Sequence, residues 1–213
     1  CAQTAGVDYH ETFSAALRST SLRALACLAA RNGLRLHRWD FVSAYLQGSL
    51  EPGEVVYCVA PPGYERQDED GHEMVCKVVK PIYGMAQAGR RWQRSLFPWL
   101  KEFGFTQSQH DPCVFQLTRE MTTPSGPRSE QLVLGVYVDD IASAYKFNDQ
   151  YSLYHEFTKA LQERWKVEDE GELSDLLGIE FSNSGGLVCR LAQADRVHQQ
   201  PRASVPRAVR SIS

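Results

Sequence analysis

The sequence predicts an α+β fold, and three observations carry that expectation. Apolar runs of strand length recur between turn-forming residues, as in Glu-Val-Val-Tyr-Cys-Val-Ala at 54–60 and Leu-Val-Leu-Gly-Val-Tyr-Val at 132–138. Three other segments carry apolar residues at the 3.6-residue spacing of an amphipathic helix. The two kinds of element follow one another with no internal repeat and no regular βαβ series.

Thr20 and Ser21 offer caps for a helix with Leu22, Leu25, Ala26 and Ala29 inward, and Gly33 stops it. A strand fits 34–41, where a period of two puts Leu34, Leu36, Arg38 and Asp40 on one face and Asp40 at the strand's end. Residues 42–48 read as a short helix or turn. Strands at 54–60 and 74–80 are separated by Pro61-Pro62-Gly63 and an acidic loop, and Pro81 ends the second. Residues 87–103 read as a helix with a stripe of Trp92, Leu96, Trp99, Leu100 and Phe103, which Pro98 should kink or split. Strands at 112–117 and 131–138 flank a Thr/Pro/Ser/Gly loop at 122–129, and 141–145 continues as a strand. A helix begins at Asp149 with Leu153, Phe157, Leu161 and Trp165 inward. Short strands at 177–181 and 187–192 are joined through Ser184-Gly185-Gly186.

With 213 residues, 43% hydrophobic and 23% charged, the chain has the composition of one large globular domain or two interleaved subdomains. That excludes disorder, collagen and disulfide miniproteins as whole-chain descriptions. No window approaches the roughly 20 uninterrupted apolar residues that span a bilayer, so no membrane partner is expected. Six cysteines without a C-x-x-C pair read as reduced, mostly core thiols of an intracellular protein. The start at Cys1 and the Arg/Ser/Pro-rich end suggest a piece of a longer polypeptide.

The net charge of −3 argues against a nucleic-acid partner, but its distribution argues otherwise. Between Glu11 and Asp40 there is no acid, and Arg18, Arg23, Arg31, Arg35 and Arg38 are all basic. Between Glu73 and Glu102 there is again none, with Lys77, Lys80, Arg90, Arg91, Arg94 and Lys101 in the gap. Either a basic groove lies beside an acidic centre or solvated faces merely cluster, and charge alone leaves both open.

Asp139-Asp140 interrupts the apolar run at 132–142, and desolvating an unpaired carboxylate costs several kcal/mol unless a cation or hydrogen bonds offset it. The plain alternative is a hairpin turn with both Asp side chains in water. Against it stand the apolarity of the flanking strands, the poor fit of Asp-Asp to a two-residue turn, and a third strand-end carboxylate at Asp40. Convergent carboxylates form the incomplete oxygen shell that Mg²⁺ accepts, and two such ions about 4 Å apart serve in-line displacement at phosphorus.

Tyr137-Val138-Asp139-Asp140 resembles the Tyr-x-Asp-Asp box of reverse transcriptases, and the surrounding chain is similar to the copia-type retrotransposon family. The supporting stretches, in the family's order, are GVDYHETF (6–13), WDFVSAYLQGSL (39–50), VVYCVAPPGYE (55–65), PIYGMAQAGRRW (81–92), DPCVF (111–115), YVDDI (137–141) and LLGIE (176–180). Each is short alone; the seven in series are specific.

The resemblance implies an RNA-directed DNA polymerase, a nucleotidyltransferase that adds dNTPs to a primer 3′-hydroxyl. The implied fold is an α+β right hand of palm and fingers, with an antiparallel palm sheet backed by helices. Its domain would cover 1–193, with palm at 34–50 and 89–181, a fingers insertion at 51–88, and an unassigned tail at 194–213. It implies Asp40, Asp139 and Asp140 as catalytic residues that hold two Mg²⁺ ions, or Mn²⁺ in their place, with the Phe41 carbonyl completing one shell. Ala44, Tyr45 and Gln87 would meet the incoming nucleotide, Tyr45 excluding a 2′-hydroxyl. Lys80, Arg90, Arg91 and Arg94 would follow template phosphates with Trp92 packed beneath, and Tyr137, Gly178 and Ile179 would touch template and primer. Plainer readings stand beside these: Tyr45 a core ring, Gln87 an exposed helix-start residue, Gly178 a bulge, Trp92 and Trp99 core anchors.

Implied partners are an RNA template, a DNA primer, dNTPs and the remainder of a gag-pol polyprotein; the implied setting is intracellular, in a cytoplasmic virus-like particle. The family differs in carrying a Lys/Arg-bearing fingers strand upstream of position 6, Pro in place of Gly89, and a thumb-like region and ribonuclease H beyond position 193. The rival reading is a catalytically inactive retroelement fragment that folds and at most binds nucleic acid. A two-metal nuclease is a further rival, against which Tyr45, five residues after Asp40, speaks. The chain as given is expected to bind nucleic acid weakly and to polymerise little.

Overall fold

Asp40 and Asp140 lie on adjacent strands of one antiparallel sheet, with Asp139 in the turn just before Asp140, in the computed structural model, which describes Gln3, Gly6, residues 11–182 and the backbone of Val188–Leu191. In chain order the elements are α1 Ser19–Asn32, β1 Arg35–Phe41, α2 Ala44–Gln47, β2 Val56–Val59, β3 Val75–Val78, α3 Ala88–Phe103, β4 Thr106–Gln107, β5 Val114–Thr123, β6 Gly126–Tyr137, β7 Asp140–Tyr145, α4 Leu153–Arg164, β8 Val167–Glu172, β9 Asp175–Leu176, β10 Ile179–Ser182 and β11 Val188–Leu191. The α+β class is as the sequence predicts. The chain divides into two units, 1–173 and 174–213. No described helix is long and apolar enough to cross a membrane.

In the first unit a six-stranded sheet runs β4-β5-β6-β7-β1-β8 with every pairing antiparallel. Period-two alternation gives it two apolar faces. Trp39, Phe115, Leu132, Leu134, Val136 and Ile141 line one, under Trp92, Leu96 and Leu100 of α3 and Leu153, Phe157 and Leu161 of α4. Burial of each such side chain contributes about 2 kcal/mol. On the other face the segment leading into α1 comes so close to β6 that a Cβ on Gly135 would lie 3.0 Å from Leu17 Cδ2, and 3.7 Å from Leu25 Cδ2 of α1 itself. Outside this sheet β2 and β3 form a hairpin whose Val56 and Val78 pack with Met85 and Ala88. In the second unit β11, β10 and β9 form a small antiparallel sheet.

Several expectations are corrected. Neither Thr20 nor Ser21 caps α1, which starts at Ser19; Asp111 serves instead, its Oδ2 accepting from the Arg18 backbone N–H (3.1 Å) and the Ser21 hydroxyl (2.5 Å). A cap from 90 residues away is invisible to local pattern. Pro98 does not split α3, because burial of Trp92 and Leu96 before it and Leu100 after it outweighs a cost of about 3 kcal/mol for an interior proline. Residues 122–129 are mostly strand, with Thr123 paired to Gly126 and only Pro124 and Ser125 turning the chain. α4 begins at Leu153, four residues after Asp149, with Ser152 as its cap accepting from the His155 N–H.

The strand β8, Val-Glu-Asp-Glu-Gly-Glu, is absent from the sequence reading, since acids and glycine carry little strand propensity; it forms because β1 needs backbone partners on its second edge. Of the four described cysteines only Cys113 is buried, so the core-thiol expectation fails for Cys27 and Cys76, which are exposed. Gly89, where the copia-type family has Pro, makes room for Ser14: a Cβ there would lie 2.8 Å from Ser14 Oγ. Ser184-Gly185-Gly186 and the tail at 194–213 lie outside the described residues.

Candidate active site

Strand register builds the site. Asp40 is the direct cross-strand partner of Asp140, and Tyr137 partners Asp140 from the other side. Such partners have Cα atoms about 4.5–5.5 Å apart and side chains on one face. Val138 and Asp139 form the two-residue turn between β6 and β7, so the hairpin that the sequence reading argued against exists, one residue earlier than Asp-Asp. Val138 sits at φ 51°, a left-handed conformation that costs a β-branched residue on the order of 1–3 kcal/mol. Two long-range bonds hold the turn: Trp92 Nε1 donates to the Val138 carbonyl (2.8 Å) and the Phe41 N–H to the Asp139 carbonyl (2.6 Å).

The carboxylates are unequally served. Asp139 Oδ2 accepts from the Tyr83 hydroxyl (3.1 Å), while Oδ1 is buried and has no hydrogen-bond partner. Burial pushes the Asp139 carboxyl up; the Tyr83 bond opposes this and Asp140 adds to it. Asp40 is likewise raised, first by burial and then by Asp140, Asp139 and Glu170, against Arg38. Arg38 Nε donates to Asp140 Oδ1 at 2.8 Å. An orphaned buried oxygen beside a carboxyl strained by like charge is a donor set that a divalent cation would satisfy.

Asp40, Asp139 and Asp140 are nonetheless looser than a closed cage. Among the described residues the one trio with donor atoms all within 4.8 Å of one another is Asp68, Asp70 and His72. That trio is exposed, and Asp68 Oδ1 already accepts from the backbone N–H groups of Asp70 and His72 in a tight turn.

The remaining expected residues scatter. Phe41 ends β1 with its ring against Trp92, centroids 4.8 Å apart. Ala44 is fully buried, so it has no side chain to offer a ligand. Tyr45 is partly buried with its ring 4.4 Å from that of Tyr83, and burial then Asp139 raise its phenol. Gln87 is not the exposed residue of the plain reading: it is fully buried, donating to Glu54 Oε1 (3.0 Å) and accepting from Gln3 (3.1 Å).

The expected basic row is mostly engaged within the protein. Arg91 is 8% exposed and paired with Glu51 and Glu54, Arg90 pairs with Glu11, and Arg94 with Glu51. Lys80 is exposed. Trp92 is a core anchor, as its plain reading held. Gly178 is no bulge: with Leu177 it forms the turn between β9 and β10, at φ 69° and 53°, and Ile179 beside it is buried.

Three contributors escaped the sequence reading. Arg38 had a signal, since it shares Asp40's face two residues away. Glu170, the residue skipped where β8 shifts register between Arg38 and Trp39, and Tyr83, 56 residues before Asp139, had none.

A family model described as "Reverse transcriptase (RNA-dependent DNA polymerase)" matches residues 1–200, and the chain belongs to this family. It is 35% identical over 178 residues to "Retrovirus-related Pol polyprotein from transposon RE1" of Arabidopsis thaliana, and 29% identical over 179 residues to that from transposon TNT 1-94 of Nicotiana tabacum. Each match takes in 84% of this chain but 11% and 12% of the respective relative, so the chain spans about a ninth of their length. These matches agree with the copia-type resemblance. No solved structure matches the chain. The family is one of RNA-dependent DNA polymerases, which act on nucleic acid and dNTPs and generally use Mg²⁺.

Proposed function

We propose that this chain is the palm and fingers of a copia-type RNA-directed DNA polymerase, with Asp40, Asp139 and Asp140 as its catalytic carboxylates. One observation carries the reading: Asp40 is in register with Asp140, beside an Asp139 oxygen that is buried with no partner. The six-stranded sheet with α3 and α4 corresponds to the palm, and 51–88, including the β2–β3 hairpin, to the fingers.

In the reaction the primer 3′-oxygen attacks the α-phosphorus of a dNTP and the bond to pyrophosphate breaks. Asp40 and Asp139 Oδ1, with the Phe41 carbonyl, would hold Mg²⁺, which when bound polarises the attacking hydroxyl and offsets charge on the leaving group. Arg38 fixes Asp140 through its Oδ1. Tyr45 would lie beneath the sugar and exclude a 2′-hydroxyl by overlap. Lys80 and the outer arginines Arg90 and Arg94 would follow phosphates once freed from their carboxylate partners. RNA template, DNA primer and the rest of a Pol polyprotein are the partners this reading requires.

The test is primer extension on an RNA template, wild type beside Asp139→Asn, with folding of both checked by circular dichroism. Extension that Asp139→Asn abolishes supports the reading, and extension unchanged by it removes Asp139 from the chemistry. A second reading, a folded but inactive fragment, is favoured by the internal pairing of Arg90, Arg91 and Arg94. Absent extension together with Asp139-dependent Mn²⁺ binding supports that one.

A further inference from the structure

Tyr83 stands in the turn before α3, half exposed, yet both ends of its side chain are occupied. Its hydroxyl donates to Asp139 Oδ2 at 3.1 Å and its ring lies 4.4 Å from the Tyr45 ring, tilted by 32°. A half-exposed tyrosine that serves only as surface would leave its hydroxyl to water. Here the hydroxyl donates instead to the carboxylate whose other oxygen is orphaned.

We infer that Tyr83 is a positioning residue with two tasks: its hydroxyl holds Asp139 Oδ2 so that Oδ1 stays free for a divalent cation, and its ring braces Tyr45 under the incoming sugar. The inference rests on the proposed roles of Asp139 and Tyr45. It makes the fingers segment the support of two palm residues, and it ties metal binding to sugar choice through one side chain. Outer partners that orient metal ligands are typically worth 10–100-fold in metal affinity. The two tasks separate chemically, because Phe keeps the ring and loses the hydroxyl whereas Ala loses both.

The experiment measures Mn²⁺ binding to the full chain by electron paramagnetic resonance, and the affinity ratio of dGTP to GTP in the presence of Mn²⁺. The proteins are wild type, Tyr83→Phe, Tyr83→Ala, Asp139→Asn and Tyr45→Ala, each with its melting temperature recorded. Tyr83→Phe should weaken Mn²⁺ about tenfold while melting and the dGTP:GTP ratio stay as in wild type. Tyr83→Ala should weaken Mn²⁺ equally and lower the ratio to that of Tyr45→Ala. Wild-type Mn²⁺ affinity in Tyr83→Phe overturns the hydroxyl's task, and a wild-type ratio in Tyr83→Ala beside a lowered one in Tyr45→Ala overturns the ring's. Unchanged Mn²⁺ binding in Asp139→Asn, or a ratio near one in wild type, overturns the underlying roles of Asp139 or Tyr45 instead.

Discussion

Asp139 and Asp111 show opposite uses of a carboxylate, and their pH dependence has opposite sign. Burial, then the charges around them, hold Asp139 and Asp40 above the ordinary range, so without a cation the folded form binds these protons more tightly than the unfolded one. Their contribution therefore improves as pH falls through the raised values and is unfavourable above them. Asp139→Asn is expected to be more stable than wild type at pH 7 in urea melts without metal, with the gap closing as the pH falls through the raised value. Saturating Mn²⁺ should reverse the order by stabilising only the wild type. Burial raises Asp111 too, but the Ser21 hydroxyl and the N–H groups of Arg18 and Cys113 outweigh it and hold the carboxyl low. Its contribution is present above the ordinary carboxylate value and lost as pH falls through the lowered one. Asp111→Ala should cost about 2 kcal/mol at pH 7, by the same melts, and less at the acid end, where the charge-dependent part of its contribution is lost. The Asp trio was legible because acids in an apolar run are costly; Arg38's place on Asp40's face was legible because strand faces alternate, but its bond to Asp140 was not read. Tyr83 was not, since its turn reaches Asp139 only through the folded chain.

Among the elements, α3 shows how far a pattern can be read. Its apolar stripe was legible from spacing alone, and Trp92, Leu96 and Leu100 are all in the core. Its arginines were legible as charge but not as destinations, because their partners Glu11, Glu51 and Glu54 come from distant segments. Arg91 and Glu54 are both nearly buried, so Arg91→Ala leaves an uncompensated carboxylate and should lower stability by about 3 kcal/mol. Arg94 is half exposed, and Arg94→Ala should change it by less than about 0.5 kcal/mol. Urea melts of the two variants check the contrast; equal effects would mean that Arg91 is solvated in solution.

At the scale of the whole molecule, charge would decide how the proposed nucleic-acid partner is met. Glu11 occupies Arg90 and lies 4.0 Å from Arg94, so a polyanion must displace it to reach them. Glu11→Gln should raise affinity for an RNA–DNA duplex several-fold at low salt and steepen the slope of log affinity against log salt by about one. Filter binding at several salt concentrations checks both, and an unchanged slope would leave these arginines outside the nucleic-acid contact. The sequence showed the segregation of charge but not which side each sign would take. β8, the strand it hid, is the terminal strand of the sheet and carries Glu168, Asp169, Glu170 and Glu172 alongside β1. Its field reaches about 8 Å at physiological salt. On the proposed reading, a duplex approaching the carboxylates along that flank would be repelled before any specific contact is made.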